Sequence, residues 1–460
     1  MINPSIFRQY DIRGRVGTEL NHEAVAEIAA AFCAYVDKTG RQRLIVGRDN
    51  RASSAEFRDI VVQVCLDSGM EVLDIGEVIT PVFYFAARHL EIDAGIMITA
   101  SHNPGHDNGF KLLLGTSTIY GDEIQEIAGM AKRKERVESI NKGKLEIIDV
   151  TDVYLKAITS RIKLGPKKLK VVVDCGNGTA GYIAPKMLRE LGCEVVELYC
   201  ESDSSFPNHH PDPVKVENCQ DLIKILKTEK ADLGIGFDGD GDRLGVVAPN
   251  GEIIWGDTMM ILFWREILAK HPGLDCIVEV KCSQSLVDEI KCLGGRPMIY
   301  KTGHSLIKAK MKEIGAIFTG EMSGHMFFAD EYYGYDDALY AAARLLRILS
   351  NSDMNINELL ADVPVYHATP EIRVKSSDTE KFVIVEKVLE HFQKLYEVID
   401  IDGARILFPG GWGLVRASNT GPELIVRCEG KTEVDLERIK AELFGFLEEV
   451  GVGVEVHYGN

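Results

Sequence analysis

The sequence predicts an α/β protein of three similar mixed-sheet α/β domains plus a smaller C-terminal α+β domain, set around a central cleft. Three observations predict it. A strand–helix–strand pattern occurs three times. Each occurrence is followed by a further strand that runs into a polar loop. The rhythm then changes near residue 365. A chain of 460 residues, at roughly 100–200 residues per domain, has room for that many units. The expected boundaries are 1–147, 148–252, 253–364 and 365–460.

The first unit opens with the apolar strand 44–47. A helix follows with Phe57, Ile60, Val61 and Val64 at the spacing of one buried face, then Gly69 and the strand 71–75. The second runs from strand 170–174 through a helix carrying Ile183, Met187, Leu188 and Leu191, stopped by Gly192, to strand 193–198. The third runs from strand 276–280 through a helix carrying Leu286, Val287, Ile290 and Leu293, stopped by Gly294-Gly295, to an extended 297–300. This order implies right-handed crossovers in mainly parallel sheets. Past residue 365 the pattern reads as a helix over 381–396, strands at 414–417 and 423–428, and a final helix over 433–450.

At 45% hydrophobic and 27% charged residues the composition is that of a globular protein in which each domain buries its own core. The start Met1-Ile2-Asn3-Pro4-Ser5 has no basic residues ahead of an apolar stretch, so no signal peptide is expected. The most apolar short run, 259–264, is far below the ~20 residues of a membrane helix. A cytoplasmic protein with no membrane partner is expected. The ten cysteines are scattered with no C-x-x-C pair, so small buried thiols in a reducing compartment are expected rather than disulfides. A net charge of −18 argues against a nucleic-acid partner. It does not exclude an anionic substrate, because a few Arg and Lys can make a local cleft positive.

The loops after the extra strands carry the chemistry, as loops beyond the carboxyl ends of α/β strands do. Strand 94–99 leads into Ser101-His102-Asn103-Pro104. Strand 232–237 leads into Asp238-Gly239-Asp240-Gly241-Asp242-Arg243. Strand 316–319 leads into Gly320-Glu321-Met322-Ser323-Gly324-His325. Alternating Asp and Gly lets three carboxylates converge, since Gly tolerates the tight backbone. Without a cation they would repel, and Mg²⁺ suits such hard oxygen ligands. An EF-hand is excluded, because its sixth position would be Arg243 and its twelfth Pro249. The aspartate loop is expected at the surface. Ser101 is not a hydrolase elbow, which would need Gly at positions 99 and 103. Its hydroxyl can instead hold a phosphoryl group and split one transfer into two easier steps, with Lys111 to neutralise charge or move a proton. Arg416-Ala417-Ser418-Asn419-Thr420-Gly421 combines a guanidinium, hydroxyls and an amide suited to phosphate.

Together these residues resemble the α-D-phosphohexomutases, most closely the phosphomannomutase/phosphoglucomutase branch. The resemblance spans essentially the whole chain. It rests on Tyr10-Asp11-Ile12-Arg13-Gly14, the serine loop, Asp238 to Arg243, Lys301-Thr302-Gly303-His304, the Glu321 to His325 loop and Arg416 to Thr420. It implies a phosphoserine at Ser101 and one Mg²⁺ per chain held by Asp238, Asp240, Asp242 and the Ser101 phosphate. It implies a hexose 1,6-bisphosphate, of glucose or mannose, as intermediate. Tyr10, Arg243, Lys281, Glu321, Ser323, Arg416, Ser418, Asn419 and Thr420 would bind substrate. Arg13, Lys111, His102, His304 and His325 would serve the chemistry, with the general base unassigned among the histidines and Lys111. The partners would be small phosphosugars, and the chain a monomer or weak homo-oligomer with a hinge near Val363-Pro364-Val365.

Three readings compete. A Mg²⁺-dependent sugar phosphatase would release inorganic phosphate, whereas a mutase conserves organic phosphate. A phosphoglucosamine mutase would differ in its preferred sugar. A non-catalytic phosphosugar-binding protein would need neither Ser101 nor three aspartates.

Overall fold

The computed structural model describes residues 2–115, 117–419 and 421–454. They form two compact units, Met1–Trp255 with Ser323–Glu358, and Gly256–Met322 with Leu359–Asn460. The span 253–364, read above as one domain, divides between them.

The first sheet of the first unit contains β1 (Ile12–Arg15), β2 (Arg43–Arg48), β3 (Glu71–Glu77), β4 (Ala94–Ile98), β5 (Asp107–Leu114), β6 (Ser117–Thr118) and β7 (Leu145–Ile147). Their order is β1-β5-β4-β2-β3-β7, with β6 alongside β5. The β4-β2-β3-β7 portion is parallel, as crossover helices require. β5 runs antiparallel to both β4 and β1. Helices His22–Asp37, Ser54–Asp67 and Asp122–Lys132 bury Ile28, Phe32, Phe57, Val61 and Ile127 in the core beside this sheet. Asn21 starts the first of them by accepting the Ala24 amide at 2.9 Å.

The second sheet contains β8 (Lys170–Asp174), β9 (Glu194–Leu198), β10 (Leu233–Phe237), β11 (Leu244–Val247) and β12 (Ile253–Ile254), in the order β12-β11-β10-β8-β9. β10, β8 and β9 are parallel, and β10 to β12 antiparallel. The helix expected from Ile183 starts as a 3₁₀ turn, Thr179–Tyr182, followed by an α-helix over Ala184–Glu190 with Pro185 in its first turn. Phe237 pairs with Leu244, so the aspartate loop is the turn of a hairpin. Helix Ala338–Ser350 packs on β11 and on Ala184–Glu190. Asp337 caps it through the Tyr340 amide and also accepts the Tyr154 and Tyr332 hydroxyls.

In the second unit, parallel strands Asp275–Glu279 and Arg296–Tyr300 are joined by helix Gln284–Cys292. Helix Gly256–Lys270 packs on that helix and on strand Phe318–Gly320. The C-terminal sheet is antiparallel. Its central strands Ala404–Phe408, Gly411–Ala417 and Glu423–Gly430 are covered by helices Glu380–Phe392 and Glu433–Glu449. The first of these helices ends four residues earlier than the sequence pattern implies.

The apolar run 259–264 lies buried inside helix Gly256–Lys270. No helix among the described residues is long and apolar enough to cross a membrane. All ten cysteines are free, eight of them buried, with Cys200 half-buried and Cys292 exposed.

Candidate active site

In the first unit, Ser101 follows β4 and the aspartate loop follows β10, so neighbouring sheets aim two strand ends at one place. The loops touch backbone to backbone. A Cβ on Gly239 would lie 2.4 Å from the Ser101 carbonyl oxygen, so no larger residue fits. The aspartate loop is anchored from outside. Its Asp240 carbonyl accepts the Thr80 amide, its Gly239 carbonyl the Thr179 amide, and the Gly239 amide donates to Pro211. The Asp238 carboxylate tightens the turn by accepting the Asp242 and Arg243 amides at 3.0 and 3.1 Å. Asp238, Asp240 and Asp242 are therefore fully buried, which corrects the expectation of a surface loop. Anchors distant in sequence cover it.

The Ser101 hydroxyl donates to Asp238 Oδ2 at 2.8 Å and lies 3.1 Å from His102 Nδ1. Lys111, on β5, donates to Asp240 Oδ2 at 2.8 Å and to Asp242 Oδ2 at 2.5 Å. Asp240 also accepts the Thr80 and Thr99 hydroxyls. Burial would raise the Asp240 carboxyl, but the Lys111 charge and these hydrogen bonds outweigh it and hold it below the ordinary range. Burial likewise works against a charged Lys111, yet Asp240 and Asp242 keep its pKa well above that of free lysine. At Asp238 the Arg243 charge and the Ser101 hydroxyl likewise favour the charged form but are outweighed. Burial first, then repulsion from Asp242 and Asp240, pushes Asp238 well above the usual carboxylate range. Lys111 thus pairs with two of the three carboxylates, and Oδ1 of both Asp240 and Asp242 is buried without a hydrogen-bond partner. One ligand oxygen from each of the three lies within 4.8 Å of the others. That is a donor set for a hard divalent cation.

Around this centre, Arg13 on β1 donates through Nε to Asp11 Oδ2 and through Nη1 to Asn103 Oδ1, both at 2.7 Å. Tyr10 and Asp240 also act on its charge. Arg243 Nε donates to His325 Nε2 at 3.1 Å. His325 Nδ1 lies 3.4 Å from Asp336 and 3.6 Å from Asp242. Ser323 is half-buried just ahead of Gly324, whose carbonyl accepts the Leu244 amide.

The second unit assembles its own group. Lys281 donates to Glu371 Oε2 at 2.9 Å. Burial lowers its pKa, Glu371 and Glu279 raise it by more, and nearby Arg416 opposes them. Burial raises the Glu371 carboxyl, but Lys281 and Arg373 bring it down to about 2. Arg416 pairs with Asp402 at 3.0 Å, and Asp402 accepts the Thr302 amide. Glu321 accepts the Gly303 amide at 2.7 Å, beside the buried His304; it starts no helix. Lys381 spends its three protons on Asp378, the Ser418 carbonyl and the Gly421 carbonyl at 2.9–3.0 Å and so shapes the turn containing Ser418 and Asn419. Thr420 lies outside the described residues.

Four consecutive stretches of the chain match domains described for phosphoglucomutase/phosphomannomutase: alpha/beta/alpha domain I over 4–138, domain II over 152–251, domain III over 255–366 and the C-terminal domain over 371–445. The chain belongs to the phosphoglucomutase/phosphomannomutase family. It is 45% identical to the phosphomannomutase/phosphoglucomutase of Pseudomonas aeruginosa, covering 99% of this chain and 98% of that protein. It is 43% identical to a phosphoglucomutase of Neisseria gonorrhoeae, with 97% of both covered. A crystal structure of a family protein from Burkholderia thailandensis superposes with a TM-score of 0.93 at 41% identity, over 99% of this chain and 100% of that one.

For this phosphohexomutase the structure joins Ser101, His102, Arg13, Tyr10, Lys111, the three aspartates, Arg243 and His325 in the first unit. Lys281, Arg416, Glu321, His304 and Ser418 lie in the second. Sequence reasoning missed Arg51, Glu279, Glu371, Lys381 and Asp402. Each is an unremarkable charged residue in the sequence, and only its burial or its partner sets it apart.

Proposed function

We propose that the chain interconverts the 1- and 6-phosphates of a hexose, mannose and/or glucose, through a phosphoserine at Ser101 and a hexose 1,6-bisphosphate. The observation that carries this reading is the Ser101 hydroxyl held 2.8 Å from Asp238 in a buried acidic site. In the first half-reaction the bond between Ser101 Oγ and phosphorus breaks and a bond forms from phosphorus to the vacant sugar hydroxyl; the proton that hydroxyl gives up is balanced by the one that restores the Ser101 hydroxyl. After the bisphosphate turns over, its other phosphoryl group returns to Ser101, whose own proton must leave. With Asp238 holding the metal, His102 Nδ1, 3.1 Å away, would take it. Lys111 stays charged between Asp240 and Asp242 and serves as a neutralising cation rather than a base. Asp238, Asp240 and Asp242 would hold Mg²⁺, which when bound withdraws charge from the transferring phosphoryl group.

Arg416, with Lys281, Ser418, Asn419 and Thr420, would grip the phosphate that is not reacting. Tyr10, Glu321, Ser323 and Arg243 would hold the sugar in either orientation, and His304 and His325 would serve the chemistry. Arg416→Ala should raise KM about ten- to a hundred-fold for 1- and 6-phosphosugars alike, since it removes one charge-assisted, bidentate-capable contact. Impairment of only one substrate would rule out a shared cradle. Domains at 1–147, 148–252, 253–364 and 365–460, a cytoplasmic location and a monomeric or weakly oligomeric state complete the reading. The deciding assay measures isomerisation of mannose 1-phosphate, glucose 1-phosphate and glucosamine 1-phosphate with Mg²⁺ and trace glucose 1,6-bisphosphate, following inorganic phosphate in parallel. Turnover of the first two without phosphate release is expected. Phosphate release, or preference for glucosamine 1-phosphate, would overturn it.

A further inference from the structure

Arg51 is almost completely buried, at 2% exposure, and every proton of its guanidinium is committed. Nη2 donates to the Ser101 and Asn103 carbonyls at 2.7 Å each. Nη1 donates to the Pro104 and Asp107 carbonyls at 2.7 and 3.0 Å. Nε donates to Asp49 Oδ2 at 3.1 Å. An arginine has five such donors, and here four of them go to the backbone of one loop. Nothing is left to bind a substrate.

That loop needs holding. Ser101 has φ 51, a left-handed backbone that a serine adopts at a cost and that persists only where the surroundings impose it. Its carbonyl, the atom Gly239 approaches, is one of the four that Arg51 grips. Asp49 is fixed in turn, because its Oδ1 accepts the Ser54 hydroxyl at 2.5 Å and the Arg51 amide at 3.0 Å. Phe206 lies across the guanidinium at 5.8 Å.

We infer that Arg51 is a positioning residue for phosphoryl transfer: it imposes the backbone conformation that aims the Ser101 hydroxyl at the acidic site. The inference rests on the reading of Ser101 as the phosphoryl carrier. Lysine keeps the charge but has three donors on a point rather than a fork, so Arg51→Lys cannot hold all four carbonyls.

The test uses the full-length enzyme with Mg²⁺ and glucose 1,6-bisphosphate. Arg51→Lys should lower kcat about 100-fold in both directions, the scale of a displaced reacting group, with KM changed by less than about threefold. The single-turnover rate at which Ser101 is phosphorylated should fall in step. The control is Arg58→Lys, which disturbs a different Arg–Asp pair, Arg58 on the helix Ser54–Asp67 that follows Arg51 with Asp74 at 2.9 Å, and should leave kcat within about threefold of wild type. An unchanged kcat in Arg51→Lys, a loss confined to KM, or an equal loss in Arg58→Lys would overturn the inference. If Arg51→Lys does not fold, Asp49→Asn takes its place: it weakens the grip on Nε while leaving the four loop contacts a donor. It should lower kcat about tenfold at constant KM, and an unchanged kcat would again overturn the inference. Ser101→Ala separates the two ideas. Activity in that variant removes the carrier role itself, whereas a dead Ser101→Ala beside a fully active Arg51→Lys removes only the positioning role.

Discussion

Ser101→Ala is expected to abolish mutase turnover, by at least about 10⁴-fold, while leaving the fold intact. A covalent carrier cannot be partly replaced: without an oxygen to accept the phosphoryl group the two-step route does not exist, and losses on this scale are typical of removed nucleophiles. The fold should tolerate the change because the side chain contributes one hydroxyl, bonded to Asp238, and Asp238 keeps its amide bonds from Asp242 and Arg243. Incubation of the wild type with glucose 1,6-bisphosphate, followed by intact-mass and peptide mass spectrometry, should place one phosphate on Ser101. A phosphate mapped elsewhere, with Ser101→Ala active, would refute the phosphoserine.

The second large effect is at Asp240. Asp240→Asn should lower activity about 10³-fold, the several kcal/mol that a bound cation supplies to phosphoryl transfer. It should also shift the Mg²⁺ titration to higher concentrations. Stability should fall as well, because Lys111 then loses one of the two carboxylates it donates to. Breaking a buried ion pair from one side costs roughly 3–5 kcal/mol, less here because the amide oxygen still accepts a hydrogen bond. Excess chelator should abolish wild-type activity and restore it on readdition of Mg²⁺. Full activity in chelator would show that the aspartates serve some other purpose.

Much of this was legible in the sequence because it is periodic or locally patterned. The three strand–helix–strand units were carried by apolar spacing, and Asp-Gly-Asp-Gly-Asp announces itself. What escaped depends on contacts distant in sequence. Nothing in Arg48-Asp49-Asn50-Arg51 says which arginine is buried: Arg51 grips residues up to Asp107, while Arg48 pairs with Glu77. The burial of the aspartates came from Thr80, Thr179 and Pro211, none of them near the loop in the chain. In the C-terminal domain, strands Ile372–Lys375, Glu397–Ile399 and Ala404–Phe408 were missed. The first two are too short to register a period of two.

The left-handed backbone at Ser101 sets heat resistance against catalysis at a single codon. Glycine occupies that conformation freely, whereas serine does so at an expense of about 1 kcal/mol. Ser101→Gly would relieve that strain but give up the hydroxyl's bond to Asp238, and with it the proposed phosphoryl carrier. On the proposed reading, the strained backbone is the cost of placing a hydroxyl at this residue.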